Sequence, residues 1–162
     1  MTRFTRLGRL AYVLALVIIA LDQVSKYWVL HGLDLPRVGN IDVLPFFSLS
    51  MVWNPGVSFG LLRADADTTR WALAAFQLLV AIGLAVWARK ADRTWLAVAL
   101  GLVIGGAIGN LIDRVRFGQV VDFLNFHGLH FPWVFNVADS AITVGVILLL
   151  IESRLPQRAA SE

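Results

Sequence analysis

Residues 105–140 read GGAIGNLIDRVRFGQVVDFLNFHGLHFPWVFNVADS, a stretch in which ionisable side chains interrupt strongly apolar sequence. Asp139 lies about six residues after Trp133, which at a rise of about 1.5 Å per residue predicts a position roughly 9 Å into a helix. If that helix spans a membrane, an ionisable group at this depth costs on the order of 2–3 kcal/mol, so Asp139 is a candidate functional residue with a partner. We expect that partner to be Asp122.

The composition of the 162-residue chain is typical of a membrane protein. Apolar residues make up 58% of it and charged residues only 15%, and the mean hydropathy is +0.72, which is too high for an ordinary soluble domain. The chain has no cysteine, which excludes disulfides, thiol catalysis and thiolate metal sites. The basic residues stand at the ends of apolar runs, so membrane orientation explains them better than nucleic-acid binding.

The apolar runs predict a single integral-membrane domain over residues 1–162, an all-α bundle of four transmembrane helices. The four spans are expected at about 10–30, 71–88, 94–112 and 133–152. Two non-helical loops, about 31–69 and 114–132, separate them. The first loop contains IDVLPFFSLSMVW at 41–53, whose alternation predicts one or two short strands and therefore a small β-containing region outside the membrane.

Basic residues predict the orientation of the four helices. They are densest in residues 1–9, in the connection 88–93 and in the C-terminal tail. Because arginine and lysine are retained on the cytoplasmic side, both termini are expected there. The two loops then lie on the outer side of the membrane, together with the polar ends of the helices.

Several polar residues have two interpretations. Asp22 and Lys26 are four residues apart on one helix face, so they form either a structural clamp near a site or a pair of interfacial charges. Asn54 and Gly56 stand in WNPG, which is either an ordinary turn or a segment that holds an extended substrate through backbone and amide hydrogen bonds.

Two further polar sets lie at helical spacing. Asn110 and Arg114 share one strip of the third span with Asp113, and the last two residues could be no more than an interfacial pair. Asn136 and Asp139 lie three residues apart and form a polar stripe on the fourth span. An amide such as that of Asn110 needs a partner in hydrocarbon.

If Asp122 and Asp139 meet, they form a carboxylate pair that shares one proton. One carboxylate then acts as base for a water molecule and the other as acid, which is the chemistry of an aspartic protease and needs no metal. His127 and His130 form HxxH without a nearby glutamate, so we expect no metal site. Two alternatives remain on the residues alone: a small ion-coupled transporter, and a non-enzymatic assembly protein packed through its glycines.

Five motifs in series resemble the bacterial lipoprotein signal peptidases, also called type II signal peptidases. They are DQVSK at 22–26, NPGVSFG at 54–60, GGAIGNLIDRV at 105–115, VVDF at 120–123 and FNVADS at 135–140. The resemblance covers nearly the whole chain, and it implies an intramembrane aspartic endopeptidase of the bacterial inner membrane. Such an enzyme removes the signal peptide of a prolipoprotein by cutting before a cysteine that carries diacylglycerol.

The resemblance also assigns residues and partners. It implies that Asp122 and Asp139 are the catalytic pair. The remaining motif positions are expected to support the pair or to bind substrate, and they are Asp22, Lys26, Asn54, Gly56, Asn110, Arg114, Asn136 and Ala138. The expected partners are the prolipoprotein, membrane lipid and a cyclic peptide inhibitor such as globomycin. No cofactor and no nucleic acid is expected, and a monomer suffices because both acids lie on one chain.

Overall fold

The computed structural model describes residues 4–56, 66–129 and 131–154. Its helices are α1 (Arg6–Tyr27), α2 (Leu35–Val38), α3 (Ala66–Ala88), α4 (Thr94–Phe117) and α5 (Val137–Arg154). A π-helical segment, Trp28–Gly32, extends α1. Thr5 caps the start of α1, because its hydroxyl oxygen accepts a 2.8 Å hydrogen bond from the backbone N–H of Gly8.

Three helices of the described chain are long and apolar enough to cross a membrane. They are α1 with its extension (Arg6–Gly32), α3 from Asp67 and α4. The first three predicted spans therefore coincide with candidate membrane-spanning helices, although α4 runs on to Phe117 instead of ending near 112. The helix α5 has 18 residues and includes Asp139, Glu152 and Arg154, so it does not join this group, and the fourth span stays a prediction.

The helix α4 lies at the centre of the bundle and packs against α1, α3 and α5. Small residues permit the close approach. A Cβ atom on Gly105 would lie 2.8 Å from the carbonyl oxygen of Ala15 in α1, and one on Gly106 would overlap the carbonyl oxygen of Ala138 in α5. This agrees with the general use of small residues where helices pack in lipid. The outer helix α3 is much less buried than α4.

A four-stranded antiparallel sheet completes the fold. Its strands lie in the order β1 (Asn40–Leu44), β2 (Phe47–Asn54), β3 (Val120–Asn125) and β4 (Val134–Phe135). The prediction of strands in the first loop is confirmed by β1 and β2. The second loop, which was predicted only as non-helical, supplies β3 and β4, so the sheet joins two segments that are far apart in sequence.

The predicted start of the last helix near 133 is wrong. Residues Val134 and Phe135 pair with β3 as strand β4, and α5 therefore begins only at Val137. Asp139 consequently lies in the first turn of α5, not roughly 9 Å into a helix. The cause is a pairing between strands that no local pattern in the sequence reveals.

Candidate active site

Strand β3 places Asp122 in the interior. Residues 120–123 are all buried, and Asp122 is only 1% exposed. The flanking side chains of Val121 and Phe123 belong to an apolar cluster that also contains Val29, Leu35 and Leu49. Because side chains alternate along a strand, Asp122 projects from the opposite face of the sheet.

Two asparagine amides bind the Asp122 carboxylate. Asn136 donates a 2.7 Å hydrogen bond from Nδ2 to Oδ1, and Asn54 donates a 2.9 Å bond from Nδ2 to Oδ2. The carbonyl oxygen of the Asn54 side chain accepts a 2.7 Å bond from the N–H of Gly56. The φ angle of Gly56 is +91°, in the region that favours glycine. The WNPG turn therefore orients an amide toward Asp122.

Asp139 is held at the start of α5. Its Oδ1 accepts a 2.7 Å hydrogen bond from Nδ2 of Asn110, and its Oδ2 accepts a 3.3 Å bond from the backbone N–H of Asn136. In return, Oδ1 of Asn136 accepts a 2.9 Å bond from the backbone N–H of Asp139. This reciprocal pattern is a capping box at a helix N-terminus. Asn136 thus contacts both candidate catalytic acids.

The electrostatic environment of Asp122 is unusual for a carboxyl. Burial raises the pKa of Asp122 to about 6, and the negative charge of Asp139 acts in the same direction. Hydrogen bonds from Asn54 and Asn136 and the positive charge of Lys26 oppose this rise in pKa. A carboxyl whose pKa is raised to about 6 exchanges a proton more readily near neutral pH than an ordinary aspartate does.

Lys26 lies in a buried charge cluster. Its Nζ is 2.8 Å from Oδ2 of Asp22 and 2.8 Å from Oδ2 of Asp113, and it donates a 3.1 Å hydrogen bond to Oδ1 of Asn110. Lys26 is 2% exposed and Asp22 is 0% exposed. The alternative that Asp22 and Lys26 are interfacial charges is therefore wrong, and they form a clamp between α1 and α4.

The sequence did not single out Asp113 as a site residue, and the interpretation of Asp113 with Arg114 as an interfacial pair is wrong. Asp113 is fully buried, and its charge partner is Lys26. Its Oδ2 also accepts a 3.0 Å hydrogen bond from the backbone N–H of Val121, the neighbour of Asp122. Its spacing of three residues from Asn110 was the available signal.

Asp22 and Ala138 position the start of α5. Oδ1 of Asp22 accepts a 3.0 Å hydrogen bond from the backbone N–H of Ala138, which is 0% exposed. A Cβ atom on Gly109 of α4 would lie 2.6 Å from Oδ2 of Asp22. The first turn of α5 therefore packs tightly against α1 and α4, which fixes the position of Asp139.

Arg114 approaches the site from α4 and is 8% exposed. Its Nη1 donates a 3.1 Å hydrogen bond to Oε1 of Gln77, and a Cβ atom on Gly56 would lie 3.0 Å from its Nη2. The guanidinium interacts electrostatically with three carboxylates, those of Asp139, Asp122 and Asp113. Arg114 therefore contributes positive charge beside the two acids.

A mostly apolar groove of about 260 Å³ opens beside Asp139. Its lining residues are Phe131, Trp133, Phe135, Asp139, Ser140, Thr143 and Val144. The groove joins the exposed aromatic side chains before α5 to a carboxylate, an arrangement suited to an apolar ligand with a polar reacting group.

No group of three or more potential metal-ligating side chains occurs in the described parts of the chain. Nδ1 of His127 lies 3.4 Å from the hydroxyl oxygen of Ser48. His130, the other histidine of the HxxH pattern, falls outside the described residues.

Comparison with known proteins agrees with this arrangement. Residues 14–155 match the family model for signal peptidase (SPase) II. A lipoprotein signal peptidase of Caulobacter vibrioides is 55% identical over 154 residues, covering 94% of this chain and 91% of the relative. One from Methylorubrum extorquens is 47% identical, covering 87% and 83%. A solved bacterial membrane enzyme is 30% identical, with a TM-score of 0.79 and coverage of 97% and 99%. This chain belongs to the signal peptidase II family.

Proposed function

We propose that this protein removes the signal peptides of lipoprotein precursors by an aspartic mechanism, with Asp122 and Asp139 as the catalytic pair. The family supports the cleavage reaction. The observation that carries the mechanism is the shared hydrogen-bonding partner of the two acids. Asn136 donates to Asp122 through its side chain and to Asp139 through its backbone.

The donors around the two acids favour proton exchange over static charge pairing. Their hydrogen bonds come from neutral amides, those of Asn54, Asn110 and Asn136. Within the described residues, neither acid forms an ion pair with a lysine or arginine. Two close carboxyls without a directly bound cation hold one proton more readily than two negative charges.

In the proposed reaction one carboxylate removes a proton from water while the water oxygen attacks the scissile carbonyl carbon. The protonated carboxyl gives its proton to the carbonyl oxygen, forming a tetrahedral intermediate. When the C–N bond breaks, the carboxyl that took its proton from water gives it to the amine that leaves, and the other carboxylate takes a proton from a hydroxyl group of the intermediate, so the pair regains its starting protonation. A pKa near 6 suits Asp122 to such an exchange.

The groove beside Asp139 supports an apolar substrate. Phe131, Trp133 and Phe135 line it together with Asp139. A signal helix and a diacylglyceryl group are both apolar and reach the enzyme through the bilayer. We infer that the precursor enters from the lipid and is cut before the lipidated cysteine.

We also infer the arrangement in the membrane. The helix α5 acts as the fourth span, both termini lie in the cytoplasm, and the sheet lies at the outer face of the inner membrane. The unequal distribution of basic residues supports this orientation. A monomer suffices, because both acids belong to one chain. The comparisons do not support the alternative of an ion-coupled transporter.

The direct test is cleavage of a purified, diacylglyceryl-modified prolipoprotein by wild type, Asp122→Asn and Asp139→Asn. Both variants should lose turnover while they remain folded in detergent. Asp34→Asn is the matched control, because Asp34 is exposed and its φ of 49° suits asparagine. Full turnover by a folded variant of either acid would show that the acid is structural and would refute the aspartic mechanism.

A further inference from the structure

We propose that Gln77 is a positioning residue that holds the Arg114 guanidinium beside the catalytic pair. This inference rests on the proposed function, because it assumes that Asp122 and Asp139 perform the chemistry. Gln77 stands outside the motifs that mark the family in this sequence.

Gln77 is a polar residue within a span that otherwise faces largely outward. Only 17% of the most apolar window of α3 is buried in the protein, and the neighbours Leu78 and Leu79 are exposed on its surface. An amide in such a helix needs a hydrogen-bonding partner, because hydrocarbon offers none. The partner is Arg114, whose Nη1 lies 3.1 Å from Oε1 of Gln77.

The orientation of Arg114 depends on few contacts. Within the described residues, the structure shows one hydrogen bond donated by this guanidinium, and its acceptor is Oε1 of Gln77. The Nε of Arg114 is buried and has no hydrogen-bonding partner among those same residues. A guanidinium is planar, so a bond at Nη1 fixes the directions of the N–H groups on Nε and Nη2. The Nη2 atom of Arg114 lies near Gly56. The backbone N–H of Gly56 donates a hydrogen bond to the side chain of Asn54, which in turn donates one to Asp122.

A second residue of α3, Arg70, holds the backbone of α4 at Arg114. Arg70 donates a 2.8 Å hydrogen bond from Nε to the backbone oxygen of Arg114 and a 2.6 Å bond from Nη2 to that of Val115. Arg70 and Gln77 are seven residues, about two turns, apart and share one helix face. The same face therefore positions both the backbone and the side chain of Arg114.

The test is Gln77→Met, which keeps the length of the side chain and removes the acceptor. We expect kcat to fall about tenfold, since a small displacement of a charged group in an active site costs this much or more. KM should stay within about twofold, because the change affects turnover more than uniform substrate binding. Leu79→Met, on the same helix and 69% exposed, is the matched control and should behave as wild type.

Gln77→Glu keeps an acceptor oxygen at the same reach and should recover most of the lost kcat. Wild-type kcat in Gln77→Met would overturn the proposal. If Gln77→Met also melts at a lower temperature, the glutamate variant decides: recovery of kcat supports positioning, and a loss equal to that of methionine overturns it. Asp122→Asn is assayed in parallel. If Asp122→Asn cleaves the substrate, the catalytic pair is refuted. If Asp122→Asn is inactive and Gln77→Met is fully active, only the role of Gln77 is refuted.

Discussion

Two groups of polar side chains meet at Asn110, and they balance their charges differently. In the charge-paired cluster, Lys26 lies 2.8 Å from the carboxylates of both Asp22 and Asp113. In the amide-bound pair, Asp122 and Asp139 receive hydrogen bonds from asparagine amides. The carboxylates of the first group lie within ion-pair distance of a lysine, whereas within the described residues those of the second group have no lysine or arginine at that distance. The first group links α1 to α4, and the second contains the two acids of the proposed catalytic pair.

Asn110 links the two groups, because its side chain forms hydrogen bonds with members of both. Its Oδ1 accepts hydrogen bonds from Nζ of Lys26, at 3.1 Å, and from Nδ2 of Asn136, also at 3.1 Å. Its Nδ2 is therefore free to donate to Asp139. Because Lys26 can only donate, it fixes which end of the Asn110 amide faces Asp139. The charge-paired cluster thus orients a donor of the amide-bound pair.

The largest expected effect concerns the amide-bound pair. Asp122→Asn and Asp139→Asn should each reduce kcat by about 10³-fold or more, and the double variant should be no slower than the weaker single variant, because residues that act as a unit are not additive. Cleavage assays on the three purified variants measure this. Losses that multiply in the double variant would mean that the two acids act independently.

The next effect concerns the charge-paired cluster. Lys26→Met leaves two buried carboxylates without their cation, which should lower the free energy of unfolding by about 3–5 kcal/mol. Thermal unfolding in detergent measures it, with Lys90→Met at an exposed position as control. A melting temperature equal to that of wild type would show that the cluster does not stabilise the fold.

The sequence predicted some contacts of these two groups and missed others. The spacing of Asp22 and Lys26 predicted their contact, since both lie on one helix. The second partner of Lys26 was missed because Asp113 lies in another helix. The depth of Asp139 was misjudged because β4 shortens α5 through pairing with β3. Local periodicity predicts faces and spans, but contacts between distant segments need the fold.

A smaller effect is expected at Asn110, where the two groups meet. Asn110→Leu should reduce kcat about 10- to 100-fold, because Asp139 loses a donor that holds it in place. The free energy of unfolding should fall by about 1–3 kcal/mol, since Lys26 and Asn136 lose an acceptor. Asn125→Leu is the control, because that amide binds Ser50 on the sheet. Equal kcat losses in both variants would argue against a specific link.

The smallest expected effect is a shift in the pH dependence of Asp122. The hydrogen bond from Asn54 lowers the pKa of Asp122, so Asn54→Ala should raise this pKa further above about 6. The shift should reach up to about one pH unit, since one unit corresponds to about 1.4 kcal/mol, the size of a charge-assisted hydrogen bond. The ionisation of Asp122 in the pH profile of kcat/KM should move upward by this amount.

The same variant makes a prediction about stability with a defined sign. The folded protein binds a proton on Asp122 more tightly than the unfolded chain, so stability contributed by this group falls as pH rises from about 4 through 6. In Asn54→Ala the fall should continue to higher pH, and the melting temperature should differ from wild type more at pH 8 than at pH 4. Asn40→Ala removes an amide from the exposed carboxylate of Asp42 and should show no such trend. A pH-independent difference would mean that Asn54 supports the turn at Gly56 rather than the ionised form of Asp122.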